Sequence, residues 1–344
     1  MDEIRVAVIG AGANTRARHI PGLRAQEKVK LIGVCNRSRS SSERAAAELG
    51  FERAYAHWME AVDDPDVNAI VIGTWPYLHA RVTMAALDAG KHVLTEARMA
   101  RDAAEAHAML AVAQEHPELT AQVVPSPMSL GVDATIQRVL AEGRLGEILF
   151  IEHRPGSTFF DAAAPMHWRQ DSELSGLNVQ ALGIVYEMIM RWVGEAVRVT
   201  ARERVFAPTR PGADGLRASV QVPDHIDVLA EMACGASLHL QQTAVAALRT
   251  ETGTWVYGTE GALRFDGRQL WFGGRDAKGL APVDIPDSER GGWRVEEEFV
   301  RAIRGLEPVT RTTFEDGVRY MEFIEAARRS AARGRTIALP LQMA

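Results

Sequence analysis

Cysteine is nearly absent: Cys35 and Cys234 are the only two among 344 residues, each within an apolar, strand-like stretch. Two such cysteines supply no disulfide framework, and two buried thiols in a reducing cytoplasm are the expectation. No apolar run approaches the roughly 20 residues that cross a bilayer, so no membrane partner is expected. The acidic start, Met-Asp-Glu-Ile, is unlike a signal peptide. Basic blocks are missing and the formal net charge is −6, which argues against nucleic acid as a partner. No Cys or His cluster has metal-ligand spacing, so no metal is expected. Lysine occurs only at 28, 30, 91 and 278, leaving few positions for a catalytic amine. There is no internal repeat and no low-complexity tract.

What is present is a globular chain, 47% hydrophobic, too long for one ordinary core. Residues 1–124 alternate short apolar runs with helical periods, the βαβ rhythm of a parallel sheet. Strands are expected at 4–9, 30–35, 69–73, 91–94 and 120–124, and helices at 15–25, 41–49, 57–62, 78–89 and 101–114. The second helix opens on Ser40-x-x-Glu43, read as a capping box. Val124-Pro125-Ser126-Pro127 is a linker-like break. A second domain, 125–344, follows with a helix at 129–143. Its strands are expected at 147–154, 196–206, 217–222, 226–233, 236–247, 252–258 and 261–265. Two amphipathic helices, 293–304 and 314–332, are expected to pack back on the core.

The most informative segment is Val6-Ala7-Val8-Ile9-Gly10-Ala11-Gly12-Ala13-Asn14-Thr15, a buried strand running into a glycine turn. Gly10 permits the tight turn and Gly12 lets the backbone approach a pyrophosphate. Helix N–H groups beginning near Asn14 would point at that anion. The third position is Thr15 rather than the usual Gly or Ala. A plain glycine turn is the competing reading.

The end of the second strand reads Cys35-Asn36-Arg37-Ser38-Arg39-Ser40 and carries no carboxylate to grip a ribose 2′-hydroxyl. A guanidinium among hydroxyls suits a 2′-phosphate, so NADP(H) is favoured over NAD(H). The competing reading leaves Arg37 and Arg39 as solvated loop residues, with NAD bound without an acidic clamp.

Four separated motifs then occur in order: Gly10-Ala-Gly12, Thr74-Trp75-Pro76-Tyr77-Leu78-His79, Gly90-Lys91-His92-Val93-Leu94-x-Glu96, and Trp293-Arg-Val-Glu-x-Glu-Phe299. Together they resemble the glucose–fructose oxidoreductase / inositol dehydrogenase / rhizopine catabolism family over nearly the whole chain. The resemblance implies an α/β chain with an N-terminal Rossmann domain and a C-terminal α/β domain. The second domain would carry a large, open, mostly antiparallel sheet, through which homo-oligomers (dimer or tetramer) assemble. It also implies that Thr74, Trp75, Pro76 and His79 lie beside the nicotinamide ribose and that Glu96 lies near the ring.

The same comparison exposes losses. Ala97 falls on the family's catalytic lysine and Arg98 on the proline after it, so the usual proton step is missing there. A trans bond between 97 and 98 is expected. Lys91 opens its strand too far away to substitute. Aligning Gly183 and Arg191-Trp192 puts Ala181 on the family's aspartate and Val185 on its histidine. The replacement catalytic candidates are His167, Tyr186, Glu96 and Arg98, with Trp168, Arg169 and Glu187 as substrate-binding residues. His167 has an intrinsic pKa near neutrality, and Tyr186 is a possible proton donor. His19 and His92 read as structural. The expected function is hydride transfer between a nicotinamide cofactor and a sugar, polyol or related carbonyl compound. The alternative is a cofactor-retaining lyase, isomerase or hydrolase, or a ligand-binding regulator.

Overall fold

The computed structural model describes residues 3–212 and 214–342. Two compact units divide them: one holds the residues up to Pro125 together with Arg294–Met321, the other Ser126–Trp293 and the residues from Glu322 onward.

In the first unit, six parallel strands form one sheet: β1 (Ile4–Ile9), β2 (Val29–Cys35), β3 (Arg53–Tyr55), β4 (Ala69–Ile72), β5 (His92–Thr95) and β6 (Ala121–Val123). Their order is β3-β2-β1-β4-β5-β6. Five helices link them: α1 (Ile20–Arg24), α2 (Arg39–Leu49), α3 (Trp58–Asp63), α4 (His79–Asp88) and α5 (Ala103–Glu115). All four residues of β4 and of β5 are buried, as expected of parallel strands covered on both faces. This strand order places a topological switch between β1 and β4, where ligands of open α/β sheets bind at the strands' carboxyl ends. The three-residue β3 was not anticipated from the sequence. The helix expected at 15–25 starts as a π-helical turn, Thr15–His19, before α1. Helix α2 begins earlier than the expected capping box: Ser38 is its N-cap, and Glu43 instead pairs with Arg39 at 2.9 Å.

The second unit contains helices α6 (Asp133–Ala141), α7 (Ser172–Ser175) and α8 (Leu182–Val193). Its nine-stranded sheet uses β7 (Ile148–Arg154), β8 (Ala196–Arg204), β11 (His225–Met232), β12 (Ser237–Thr243), β13 (Gly253–Gly258), β14 (Gly261–Phe265), β15 (Leu270–Gly274), β16 (Ala281–Pro282) and β17 (Ile337–Ala338). The order is β16-β15-β14-β13-β7-β12-β11-β8-β17. A separate small ribbon pairs β9 (Thr209–Pro211) with β10 (Arg217–Ser219). The pairing is antiparallel throughout except between β7 and β12. Alternation sorts the faces: Val228 and Ala230 of β11 are buried while Leu229 and Glu231 are exposed. Helix α8 packs on β12. Cys35 is buried as expected, but Cys234 is exposed, because it sits in the turn between β11 and β12 rather than in a strand.

The closing helices are α9 (Val295–Ile303) and α10 (Phe314–Arg333). The sequence reading kept 125–344 together, whereas Arg294–Met321 groups with the first unit. Hydrogen bonds account for that grouping. Gln122 donates to Glu298 at 2.8 Å, and the Met99 N–H donates to the Tyr320 hydroxyl. No helix among the described residues is long and apolar enough to cross a membrane.

Candidate active site

The glycine turn at the end of β1 is held by contacts that leave no room for side chains. Gly10 has φ +93°, and a Cβ there would lie 2.7 Å from Gly73 C and Thr74 N. Gly73, which the sequence reading passed over, is tighter still: its Cβ would stand 2.0 Å from Thr15 Oγ1 and 2.4 Å from Gly10 O. Thr15 is buried and its hydroxyl donates to Gly10 O at 3.0 Å, so it shapes the turn rather than facing a ligand. Asn36 ties the two loops together, its Oδ1 accepting from the Ala11 N–H at 2.9 Å and its own N–H donating to Ser42 Oγ at 2.8 Å.

Beside this turn lies a cavity of about 710 Å³. Of the expected cofactor-binding residues it gathers Gly10, Gly12, Asn36, Arg37, Ser38, Thr74 and Trp75. Ala13, Asn14, Thr15, Pro76, His79 and Glu96 do not line it. It adds Ser41, Arg44, His57, Trp58 and Arg81, which the sequence reading missed. Arg44 stands three residues after Ser41 on α2, so one turn of helix brings both to the same mouth. Arg81 follows two residues after the loop's His79. Arg37, Arg44 and Arg81 are exposed and form no ion pair among the described residues, and no carboxylate lines the cavity. Arg39 is committed to Glu43. The residues present fit a dinucleotide: glycines clear the pyrophosphate path, and unpaired guanidiniums with hydroxyls suit an anionic ribose substituent.

Behind the turn, Glu96 follows β5 and meets His19, whose Nε2 is 2.9 Å from Glu96 Oε1. The other ring nitrogen, Nδ1, is 2.6 Å from Glu296 Oε1 on α9. Asn14 Nδ2 also donates to Glu96 Oε1. Burial alone would lower the His19 pKa, but the two carboxylates raise it to about 9. For Glu96, burial pushes upward, and the hydrogen bonds and charge of His19 with the Asn14 bond hold it below its usual value. An imidazolium thus sits between two carboxylates, and the fourth motif of the sequence supplies one of them.

His79 is fully buried, its Nδ1 3.0 Å from Arg98 O and its Nε2 3.0 Å from Thr74 O. It fastens the Thr74 loop to the segment after β5 rather than presenting a face to a cofactor, and burial lowers its pKa. The Ala97–Arg98 peptide is cis, not trans as expected. The backbone on its carboxyl side is held by His79 at the Arg98 carbonyl and by Tyr320 at the Met99 N–H. Arg98 is only 2% exposed, which withdraws it as an open cation for a substrate carboxylate. Lys91 donates to the carbonyls of Asp64 and Val67 at 2.8 and 2.6 Å, away from Glu96. His92 is buried and accepts from the Thr120 N–H at 2.8 Å, and burial lowers its pKa to about 4.

In the second unit, His167 is exposed and caps a short turn: its Nδ1 accepts from the Arg169 N–H at 3.2 Å. That bond places the proton of a neutral ring on Nε2, and burial with the nearby Arg169 charge lowers its pKa. The Arg169 guanidinium stacks 4.3 Å over the Trp168 ring. Two expectations fail here. Tyr186 is buried and stacked on Phe323 with ring centroids 3.6 Å apart, and its hydroxyl accepts from the Ala196 N–H at 2.8 Å. Glu187 is buried, accepting from the Ser126 N–H at 2.7 Å and from Arg191 at 2.5 Å. Both serve the core because α8 buries the face that carries them. Among the described residues, no group of three or more His, Cys, Asp or Glu could hold a metal ion.

Two family models match the chain. Residues 4–124 match the oxidoreductase family model with an NAD-binding Rossmann fold, and residues 134–264 match the GFO/IDH/MocA C-terminal domain. Levoglucosan dehydrogenase of Pseudarthrobacter phenanthrenivorans is 29% identical over 244 residues, 64% of this chain and 61% of its own length. A solved structure of levoglucosan dehydrogenase in complex with NADH and L-sorbose superposes with TM-score 0.86 at 24% identity, covering 98% of this chain and 99% of that one. An oxidoreductase domain protein from Kribbella flavida gives TM-score 0.86 at 23% identity, covering 99% and 100%. These two structures share the fold. With residues 4–124 and 134–264, together well over half of the chain, matched by models of one family, the chain belongs to the GFO/IDH/MocA oxidoreductase family.

Proposed function

We propose that the chain is a nicotinamide-dependent oxidoreductase moving hydride between NADP(H) and a sugar, polyol or related carbonyl compound, with NAD(H) the weaker cofactor. The observation that carries this reading is the cavity at the β1/β4 switch point, with its glycine cradle and three unpaired arginines. Bound there, the coenzyme supplies a hydride donor or acceptor at C4 of its nicotinamide. Gly10 and Gly12 admit the pyrophosphate, while Arg37, Arg44, Arg81, Ser38 and Ser41 take the 2′-phosphate. Glu96, held ionised by His19 and Asn14, is a positioning carboxylate on the ring side. His167 carries the substrate proton on Nε2, and Trp168 with Arg169 orients the substrate.

The sugar class is supported by the relatives: levoglucosan dehydrogenase is named for an anhydrosugar, and one of its structures holds NADH with L-sorbose. The outer face of the second unit's sheet carries Leu229, 56% exposed, and the stacked Phe150–Tyr257 pair, apolar groups set among polar side chains that suit a mixed homo-oligomer interface. Two free thiols suit a reducing cytoplasm. Fluorescence titration with NADPH and NADH, followed by nicotinamide absorbance with levoglucosan, L-sorbose and D-sorbitol, tests the proposal. NADPH is expected to bind at least about tenfold more tightly, and one of the sugars to change the absorbance. Failure of both nucleotides to bind overturns the reading. Tight binding with no turnover on any carbohydrate or polyol favours the cofactor-retaining, non-redox alternative, whose motivation is Ala97, Ala181 and Val185.

A further inference from the structure

The fourth sequence motif, Trp293 to Phe299, holds a buried carboxylate that does not line the coenzyme cavity, Glu296. It stands in the first turn of α9, where a helix N-terminus favours an anion. Its Oε1 is 2.6 Å from Nδ1 of His19, the last residue of the π-helical turn behind the glycine turn. His19 is fully buried and joins this carboxylate to a second one, with Nε2 2.9 Å from Glu96 Oε1. Glu96 is the least buried of the three, and all belong to the first unit.

The fold makes room for the outer carboxylate. Gly22 of α1 faces it, and a Cβ at 22 would lie 2.5 Å from Glu296 Oε2 and 2.7 Å from its Cδ. Glycine inside a helix is otherwise a poor choice, and no left-handed backbone calls for it here. Other ionisable groups surround the trio. On the turn of His19 itself, Arg16 pairs with Glu48 and Arg18 is exposed. Arg98, two residues beyond Glu96, is a buried cation, and His79 at the start of α4 is kept neutral by burial. On α9, Glu297 pairs with Arg294, and Glu298 accepts from Gln122 and Thr310. Within the trio, two carboxylates and one imidazolium sum to a single negative charge. A fixed charge beside a nicotinamide acts differently on its two redox states, since the oxidised ring is a cation and the reduced ring is neutral.

We propose that His19 and Glu296 are positioning residues that set the balance between oxidised and reduced coenzyme. Glu296 keeps a proton on His19, His19 orients and partly compensates Glu96, and the trio presents a constant charge on the ring side. That charge decides how strongly the oxidised coenzyme is held relative to the reduced one. Neither His19 nor Glu296 touches the coenzyme; both act through Glu96. The inference rests on the oxidoreductase reading above, which places Glu96 on the side of the nicotinamide.

The test is titration of the full chain with NADP⁺ and with NADPH between about pH 5.5 and 9.5, read as the ratio of Kd for NADPH to Kd for NADP⁺. The 2′-phosphate titrates in both coenzymes alike and cancels in that ratio. In the wild type the ratio should stay level to about pH 8 and then rise about threefold or more. The rise marks the loss of the His19 proton, whose pKa burial lowers but the Glu296 and Glu96 carboxylates lift to about 9, and the trio then gains negative charge. Glu296→Gln removes one of the two carboxylates that hold the proton, so the rise should come about one pH unit lower or more. Gly22→Ala keeps every ionisable group but crowds the Glu296 carboxylate aside, and should move the rise in the same direction. Glu96→Gln should lower the ratio near about pH 7 by about fivefold or more, because the ring-side anion is gone. A purely structural trio would change both affinities together and leave the ratio and its profile in place. If Glu296→Gln fails to fold, Gly22→Ala and Glu96→Gln decide. Coincident profiles in the wild type and these variants, or a rise displaced to higher pH, would overturn the proposal while the coenzyme reading stands. Binding of neither nucleotide to the wild type removes both.

Discussion

His19 Nε2 lies 2.9 Å from Glu96 Oε1 while its Nδ1 lies 2.6 Å from Glu296 Oε1, so one imidazolium joins two carboxylates far apart in sequence. The ring's pKa rises from 6.5 to about 9 in the folded chain. A raised value contributes stability that is fully present below the unfolded pKa and is lost as pH climbs through the folded one. His19→Asn should therefore cost up to about 3 kcal/mol near pH 6, with the deficit shrinking as pH approaches about 10. Urea unfolding of both proteins across that range checks it. A deficit that stays constant would show that the imidazolium is not its source.

Gly73 is expected to be as intolerant as the more obvious Gly10. A methyl group at 73 would collide with Thr15 Oγ1 and Gly10 O, both belonging to the turn itself. Gly73→Ala should destabilise by about 1–3 kcal/mol and weaken nucleotide binding about tenfold or more. Thermal unfolding with NADPH titration measures both. Wild-type affinity in that variant would mean that the turn yields without consequence for its ligand.

The arginine cluster makes a discriminating prediction. Arg81→Ala and Arg44→Ala should each reduce NADPH affinity by roughly 1.5–3 kcal/mol, about tenfold or more, and change NADH affinity by no more than about twofold. Equal losses for both nucleotides would assign the guanidiniums to something other than a 2′-phosphate.

Tyr186 and His167 separate structure from chemistry. Tyr186→Phe removes the hydroxyl that accepts from Ala196 N–H and should cost about 1 kcal/mol of stability with kcat unchanged. His167→Ala should lower kcat by about 10²–10⁴ with little change in stability. Unaltered turnover in the histidine variant would remove it from the mechanism.

On the sheet's outer face, Leu229→Glu replaces an exposed apolar side chain by a charge on the face that also carries Phe150 and Tyr257. Light scattering should report a shift from oligomer to monomer while NADPH binding is retained. A wild-type mass would assign assembly to a different surface.

The parallel sheet was legible because buried parallel strands are near-continuous apolar runs, and the glycine turn because only glycine satisfies its backbone. Strand β3 escaped because three residues, Arg53–Tyr55, carry too little pattern. Strand β15 escaped because it ends in glycine. His19 was read as structural without its true partners, since Glu296 is 277 residues away and no local period reports such a contact. Tyr186 and Glu187 were misplaced because α8 is buried over most of its circumference, so the sequence offered no wet face from which to orient them.

The return of Arg294–Met321 to the first unit has a consequence for biosynthesis. A nascent polypeptide that has released residues up to Pro125 from the ribosome still lacks Glu296, Glu298 and Tyr320, the partners of His19, Gln122 and Met99. Domains usually mature in order of synthesis, but the amino-terminal one here waits until translation has passed residue 321, after every residue of the intervening segment, Ser126–Trp293, has been made.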